Sequence, residues 1–133
     1  MNEDLIRQLI EGAPLPTRLG IRLAHLAKDR AELQLPFAEH VVTIGDIVHG
    51  GSISALIDTA ATAAAWATED IPENLRGTTV SLTVTFLSAA RGEDITAAAT
   101  VIARGRSLCF MEVDVTTASG TAVAKGLVTY KMG

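Results

Sequence analysis

The stretch that decides the fold is Val48-His49-Gly50-Gly51-Ser52-Ile53-Ser54-Ala55-Leu56-Ile57-Asp58, in which a His-Gly-Gly turn opens an apolar helix that carries one carboxylate. Two adjacent glycines before a helix expose backbone N–H groups at its positive end, where an anion or a polarised carbonyl oxygen binds. A carboxylate among Ile, Leu and Ala is costly to bury unless another group pairs with it or a reaction uses it. The stretch therefore predicts an electrophile-activating group and a base.

The helix is predicted to span about residues 50–68 and to be buried on most sides, because it is apolar nearly all round. One face is bulky. The opposite face is small and slightly polar, and it consists of Ser54, Ala55, Asp58, Ala61, Thr62 and Ala65. Small side chains allow another backbone or a ligand to come close.

The segment before this helix predicts a short helix and two strands. Asn2 can cap the short helix and Gly12 ends it, after which Pro14 and Pro16 favour an extended connection. Alternating residues predict strands at 21–26 and 31–36, joined by a turn, and a loop with a short turn over 38–48.

The segment after the helix alternates between apolar and polar residues, which predicts strands at 78–87, 95–103, 108–116 and 121–130. Turn residues separate them at spacings typical of hairpins. We expect a four-stranded antiparallel meander in an α+β fold, with a long antiparallel sheet wrapped around one buried helix. Residues 1–133 are expected to form a single domain.

Composition excludes several classes of protein. The net charge is −4 and the basic residues form no cluster, which argues against nucleic acid as a partner. The acidic start of the chain and the interrupted apolar stretches argue against a leader peptide or a membrane span. A single cysteine, Cys109, excludes an internal disulfide and fits a reducing compartment. We expect a soluble cytoplasmic protein.

The spacing of Gly50 and Asp58 predicts self-association. Eight helical residues span about 12 Å, whereas a reacting carbon lies about 3 Å from the atom that attacks it. The two residues of one chain therefore do not act on one carbonyl. Two antiparallel helices across a two-fold axis would place Asp58 of one chain near Gly50 of the other, giving a dimer with two shared sites. The alternative is that Asp58 only pairs or caps across a packed interface.

The histidines and the cysteine favour structural roles. His49 is adjacent to the turn and could orient a neighbouring group, but a structural histidine is the favoured interpretation. His25 and His40 have no metal-ligand spacing with it, so we infer no metal site. Gly50-Gly51-Ser52-Ile53-Ser54 lacks one residue of the Gly-x-Ser-x-Gly elbow, and the strand–helix units of that fold are absent, which excludes a Ser-His-Asp hydrolase. Cys109 has no basic neighbour in sequence, which is typical of a buried, inert thiol.

Arg104 and Arg106 flank Gly105 in a turn between strands. Surface charge is the default interpretation for both. Contact with a phosphate group is the alternative, because arginine binds phosphate in a bidentate manner.

Five short motifs occur in a recognisable order: Gly45-x-x-Val48-His49-Gly50-Gly51, Leu56-x-Asp58, Phe86-Leu87-Ser88-x-Ala90-x-x-Gly92-Glu93, Gly105-Arg106-Ser107-Leu108 and Ala122-x-Ala124-x-Gly126. Over most of its length the chain resembles hotdog-fold acyl-CoA thioesterases of the phenylacetate-degradation (PaaI-like) type, in the 4-hydroxybenzoyl-CoA thioesterase superfamily.

The resemblance implies a hotdog fold, a homodimer or homotetramer, and hydrolysis of a coenzyme A thioester. The Gly50 N–H would polarise the thioester carbonyl, and Asp58 of the partner subunit would activate water or attack directly. Thr79 occupies a position where the family often has Ser or Thr assisting the water. Thr43 stands where the family commonly has Asn. The expected substrate-binding residues are Thr43, Gly51, Arg104 and Arg106. No metal or organic cofactor is implied, since coenzyme A is part of the substrate.

Two other functions stay open. A hotdog hydratase or dehydratase acting on acyl thioesters would pair a base with a histidine, for which His49 is the candidate nearest the helix. A non-catalytic acyl-CoA-binding module is the second alternative, and Thr43 in place of the usual Asn favours it.

Overall fold

The computed structural model describes Met1 and residues 3–133, so the predicted capping role of Asn2 lies outside the described residues. The helices are α1 (Glu3–Glu11), α2 (Pro14–Leu19) and α3 (Gly50–Trp66), with a 3-10 turn at Glu39–Val41. The strands are β1 (Arg22–Ala27), β2 (Arg30–Leu35), β3 (Gly77–Phe86), β4 (Ile95–Arg104), β5 (Leu108–Thr117) and β6 (Ala122–Met132).

The strands of the described chain form one antiparallel sheet of six, in the order β1-β2-β4-β5-β6-β3. Helix α3 packs against strands from β2 to β3, so the sheet curves around it. This arrangement confirms the predicted α+β architecture with one central helix. None of the helices in the described chain has the length and apolarity needed to cross a membrane.

The predicted four-stranded meander is wrong at its first connection. Strand β3 pairs with β6, and β4 pairs with β2, so β3 and β4 are not neighbours. The segment between them does not close a hairpin because it binds the loop that precedes α3. The Val48 N–H donates to the Ala90 carbonyl at 2.9 Å, and the Gly92 N–H donates to the Asp46 carbonyl at 2.9 Å.

The connection after α1 also differs from the prediction, because residues Pro14–Leu19 form helix α2 instead of an extended segment. Both prolines lie in the first turn of α2, where the missing N–H groups have no intrahelical partner to lose. Gly20 ends this helix in the left-handed conformation, and its N–H donates to the carbonyls of Pro16 and Thr17.

Small side chains allow α3 to lie close to the sheet. Ala60 and Ala64 on the helix are fully buried, and Gly126 in β6 contacts Ile57 so closely that an added Cβ would lie 2.6 Å from Ile57 Cγ2. Real Cβ atoms do not approach to that distance, so a side chain at residue 126 would push the helix away from the strand. The separation of α3 and β6 therefore depends on this glycine.

The substitution Gly126→Ala is expected to lower the free energy of unfolding by about 1–3 kcal/mol, the usual cost of overpacking a core. Chemical denaturation measures this cost. The matched control is the same change in an Ile57→Ala background, where the clashing atoms are gone and the second substitution should cost much less. Equal costs in the two backgrounds would contradict the contact.

Candidate functional site

The turn before α3 is held by its own backbone and by one side chain. The His49 N–H donates to the Val41 carbonyl at 2.8 Å, which joins the turn to the preceding 3-10 segment. The Gly51 N–H donates to His49 Nδ1 at 2.7 Å, so His49 is the N-cap of the helix. This contact agrees with the structural interpretation of the histidine. It also occupies the Gly51 N–H, one of the predicted substrate-binding groups.

The Gly50 N–H differs from its neighbour, because no acceptor is present for it among the described residues. It belongs to the first turn of α3, where amide groups point out of the helix and carry its positive dipole end. An unpaired amide at this position is suited to bind a carbonyl oxygen that gains negative charge.

Gly50 lines a groove of about 350 Å³ together with Thr43, the second predicted residue in this region. Most of the wall is apolar, and no charged side chain is among the lining residues of the described chain. The apolar members are Ile47, Val48, Ile53, Phe86, Leu87, Ala89 and Ala90, with Ser88 beside them. The groove therefore favours an uncharged, largely apolar group next to the Gly50 amide.

Phe86 packs against Gly50 at the start of α3. A Cβ on Gly50 would lie 3.3 Å from Phe86 Cζ, so the glycine allows the aromatic ring to approach the helix end. Phe86 was not singled out from the sequence as a site residue. The signal in the sequence is an aromatic residue at the end of β3 followed by the small residues Ser88, Ala89 and Ala90, which all line the groove.

The carboxylate of Asp58 is half-buried in the middle of α3 and meets the predicted Thr79. Thr79 Oγ1 donates to Asp58 Oδ1 at 2.6 Å, so one carboxylate oxygen is oriented by β3. Asp58 therefore has a hydroxyl partner across the helix–sheet interface. The Asp58–Thr79 pair can orient a water molecule or present an oriented carboxylate, since a second oxygen remains on Asp58.

The structure thus brings the predicted residues together in two groups. Thr43 and Gly50 share the groove, whereas Asp58 and Thr79 are not among the described residues that line it. Because α3 is continuous from Gly50 to Trp66, the rise per residue separates Gly50 from Asp58 by about 12 Å along the axis. One chain therefore presents the Gly50 amide and the Asp58 carboxylate in two separate places.

The two arginines lie near the other end of α3. The Arg104 guanidinium donates to the Ala65 carbonyl at 3.0 Å and forms an ion pair with Asp29 at 2.8 Å. Arg106 is exposed, and the described residues include no ion-pair partner for it. Of the two predicted phosphate contacts, Arg106 is the one whose charge is available.

Cys109 is buried, as expected. Burial raises the pKa of its thiol above the ordinary value, and the neighbouring Arg104 acts in the opposite direction. A buried thiol in its protonated form is a poor nucleophile.

No cluster of three or more His, Cys, Asp and Glu side chains able to hold a metal is present in residues 1 and 3–133. The expectation of a reaction without metal or organic cofactor stays a prediction.

Trp66 and Tyr130 form a buried pair that sequence reasoning missed. Trp66 Nε1 donates to the Tyr130 hydroxyl at 3.1 Å, and the two rings meet edge to face with centroids 6.5 Å apart. The signal in the sequence was slight: these are the only tryptophan and the only tyrosine of the chain.

Comparison with known proteins identifies the family. The family model described as "Thioesterase superfamily" matches residues 45–124, which include the His-Gly-Gly turn, Asp58, Thr79 and the central strands. This chain belongs to the thioesterase superfamily. The resemblance inferred from its motifs is thereby confirmed at the level of the superfamily.

Several relatives share sequence with this chain. Human "Acyl-coenzyme A thioesterase 13" is 37% identical over 97 residues, which cover 71% of this chain and 66% of the human protein, just under two thirds. "Putative esterase VNG_1336C" of Halobacterium salinarum is 31% identical over 124 residues, covering 91% of this chain and 82% of that protein.

Solved structures confirm the hotdog fold. A thioesterase family protein from Silicibacter pomeroyi is 27% identical, with a TM-score of 0.87 over 96% of each chain. Zebrafish thioesterase superfamily member 2 is 27% identical, with a TM-score of 0.83 over 98% of this chain and 95% of that one. The Escherichia coli PaaI protein of the phenylacetic acid degradation operon shares the fold at 20% identity, with a TM-score of 0.81. The match covers 92% of this chain and 86% of the PaaI chain.

The capping contact predicts different outcomes for two substitutions of His49. His49→Ala removes the acceptor for the Gly51 N–H and should lower the free energy of unfolding by about 1 kcal/mol, whereas His49→Asn supplies another cap and should not. Thermal or chemical denaturation measures both. If His49→Asn kept its stability but lost turnover of acyl thioesters, a chemical role for the histidine would replace the structural one.

Proposed function

We propose that this protein hydrolyses thioesters of coenzyme A to the free acid and coenzyme A. The observation that carries the proposal is the Gly50 N–H, which has no acceptor among the described residues, at the positive end of α3 where Gly50 lines an uncharged groove. The Asp58–Thr79 pair supplies the second requirement, an oriented carboxylate. Membership of the thioesterase superfamily and the similarity to human acyl-coenzyme A thioesterase 13 support the same reaction.

The complete site would contain two chains. Gly50 of one subunit would bind the thioester carbonyl oxygen, and Asp58 of the partner subunit would face the carbonyl carbon. Strand β3 supports this pairing because it is an edge of the sheet and exposes Val80 and Phe86 by more than half. Exposed apolar edge strands invite pairing with another chain. A dimer, or a tetramer formed from two dimers, follows from this arrangement.

The carbonyl oxygen would gain negative charge against the Gly50 N–H as a new C–O bond forms. If Asp58 acts as the base, it takes a proton from water while the water oxygen attacks the carbonyl carbon. The C–S bond then breaks, and the thiolate of coenzyme A takes up a proton. If Asp58 attacks directly, water must later hydrolyse the resulting anhydride. A well-placed amide contributes about 3 kcal/mol to such a transition state.

The lining of the groove supports an uncharged acyl group. An acyl chain that ends in a second carboxylate would lose its hydration against Ile47, Ile53 and Phe86 with no cation to pair with. Hydrocarbon and neutral aromatic acyl groups fit the same surface. The proposed reaction needs no added cofactor. We also propose that the protein is located in the cytoplasm, and cell fractionation would test this location.

Replacement of Asp58 by Asn is expected to lower thioester hydrolysis by about 10²–10⁴-fold, because the amide still accepts the Thr79 hydrogen bond but cannot take a proton. Release of free thiol from a panel of neutral and carboxylated acyl-CoAs, assayed with a chelator present, measures the rate. Product masses separate hydrolysis from hydration. Equal rates for the two proteins would refute the role of Asp58, and tight binding without turnover would favour a binding module.

Mixed subunits test whether the site is shared. Asp58→Asn chains combined with Gly50→Val chains, in which the bulky side chain meets Phe86, should regain part of the activity that each lacks alone. Verified hybrid dimers without recovery would place the whole site in one chain. In single turnovers in H₂¹⁸O, acid released without label would indicate direct attack by Asp58.

Arg106 is expected to contact a phosphate group of coenzyme A. In the antiparallel arrangement the turn that carries Arg106 would lie beyond the Gly50 end of the partner's α3, because Ala65 follows Asp58 by about 10 Å along the helix. Loss of one charged hydrogen bond corresponds to about a tenfold rise in KM. Arg106→Ala should show this rise with acyl-CoA and not with an acyl-pantetheine that lacks the nucleotide. Arg22→Ala, on the far edge strand β1, is the matched control, and an equal rise with both substrates would contradict the contact.

A further inference from the structure

We propose that Tyr130 is a positioning residue for the Asp58–Thr79 pair, acting through the contact between α3 and β3. The inference rests on the proposed hydrolysis at this pair. It concerns a residue outside the motifs that connect the chain to its superfamily.

Tyr130 lies directly opposite Thr79 on neighbouring strands. The two are register partners in the β3–β6 ladder, and the register shifts between Thr79 and Ser81. A bulge adds a residue to one strand and changes the direction of the side chains beside it. The direction of the Thr79 hydroxyl therefore depends on how β3 is held against Tyr130.

The Tyr130 ring is held from two sides. Trp66, two helical turns after Asp58, donates its indole N–H to the Tyr130 hydroxyl at 3.1 Å. On the other side, Gly77 leaves the space that the ring occupies, since a Cβ there would overlap the hydroxyl group. Tyr130 thus links α3, which carries Asp58, to the start of β3, two residues before Thr79.

The phenol remains neutral and near the carboxylate. Burial raises the pKa of Tyr130, and the charge of Asp58 acts in the same direction, while the hydrogen bond from Trp66 opposes them. Its hydroxyl hydrogen has no acceptor among the described residues. Loss of this hydroxyl would leave the buried Trp66 N–H without its partner and release the link between helix and strand.

The test compares Tyr130→Phe with Thr129→Val, which removes a hydroxyl from the adjacent residue of β6 on the opposite face of the sheet. Tyr130→Phe should lower kcat about tenfold with little change in KM, because a small displacement of a catalytic pair is costly while substrate binding is untouched. Thr129→Val should keep wild-type kcat. The assays are run well below the melting temperature of each variant, so that lost stability does not lower the rate.

A double variant tests whether Tyr130 acts through Thr79. If Tyr130 acts through Thr79, adding Tyr130→Phe to the Thr79→Ala protein causes no further loss of kcat. If the two residues act independently, the losses of kcat multiply. An unchanged kcat for Tyr130→Phe, or multiplicative losses in the double variant, would overturn the proposal.

A spectroscopic measurement separates failure of this proposal from failure of the proposed function. Trp66 is the only tryptophan, so the protein gives one indole N–H resonance in a ¹⁵N-correlated NMR spectrum. That resonance should move in Tyr130→Phe and Thr79→Ala and stay in place in Thr129→Val. An unmoved resonance in Thr79→Ala would refute the coupling, whether or not the protein hydrolyses any thioester.

Discussion

Close contact between α3 and the inner face of the sheet depends on small side chains at the interface. Gly126 meets Ile57 at a distance that leaves no room for a methyl group. The helix alanines from Ala60 onward, at 60, 61, 63, 64 and 65, are at most 1% exposed. This contact sets the height of the helix above the strands. It thereby decides that Asp58 meets Thr79 at hydrogen-bond distance and that Gly50 emerges at the rim of the sheet.

The two glycines of the turn serve different purposes although they are adjacent and chemically identical. Gly51 donates its N–H to the histidine that caps the helix, which satisfies one of the orphan amides at the helix end. The Gly50 N–H has no acceptor among the described residues, and Gly50 packs against the ring of Phe86. The Gly51 amide stabilises the fold, whereas the Gly50 amide is available to a ligand. The two differ because His49 Nδ1 reaches the Gly51 N–H.

The separation of Gly50 and Asp58 along one rigid helix explains why a second chain enters the proposed mechanism. A continuous α-helix cannot bend to bring residues eight positions apart to one carbonyl. Edge strand β3 carries Thr79 and exposes apolar side chains, so the surface that a partner would cover also carries one member of the proposed catalytic pair. Oligomerisation and chemistry would then depend on the same strand.

Local sequence signals predicted most helices and strands, because each of these elements reflects the pattern of residues within one short segment of the chain. The period of the apolar residues located α3 and the strands to within a few residues. The two glycines before an apolar helix pointed to the Gly50 amide, whose role in binding stays a prediction. The pairing of β3 with β6 was missed because hairpin spacing alone does not reveal that residues 87–94 bind the loop before α3. Helix α2 was missed because prolines are tolerated in a first turn.

The sequence by itself determined the central helix, its glycine end, its single carboxylate and the distance between them, since helical rise is a local property of the backbone. Only the tertiary structure decided which side chains meet across the sheet. Thr79 reaches Asp58, Phe86 covers Gly50, and Tyr130 joins Trp66 through contacts between residues 21, 36 and 64 positions apart. Such contacts depend on strand order and helix height, which are set by packing of the whole core.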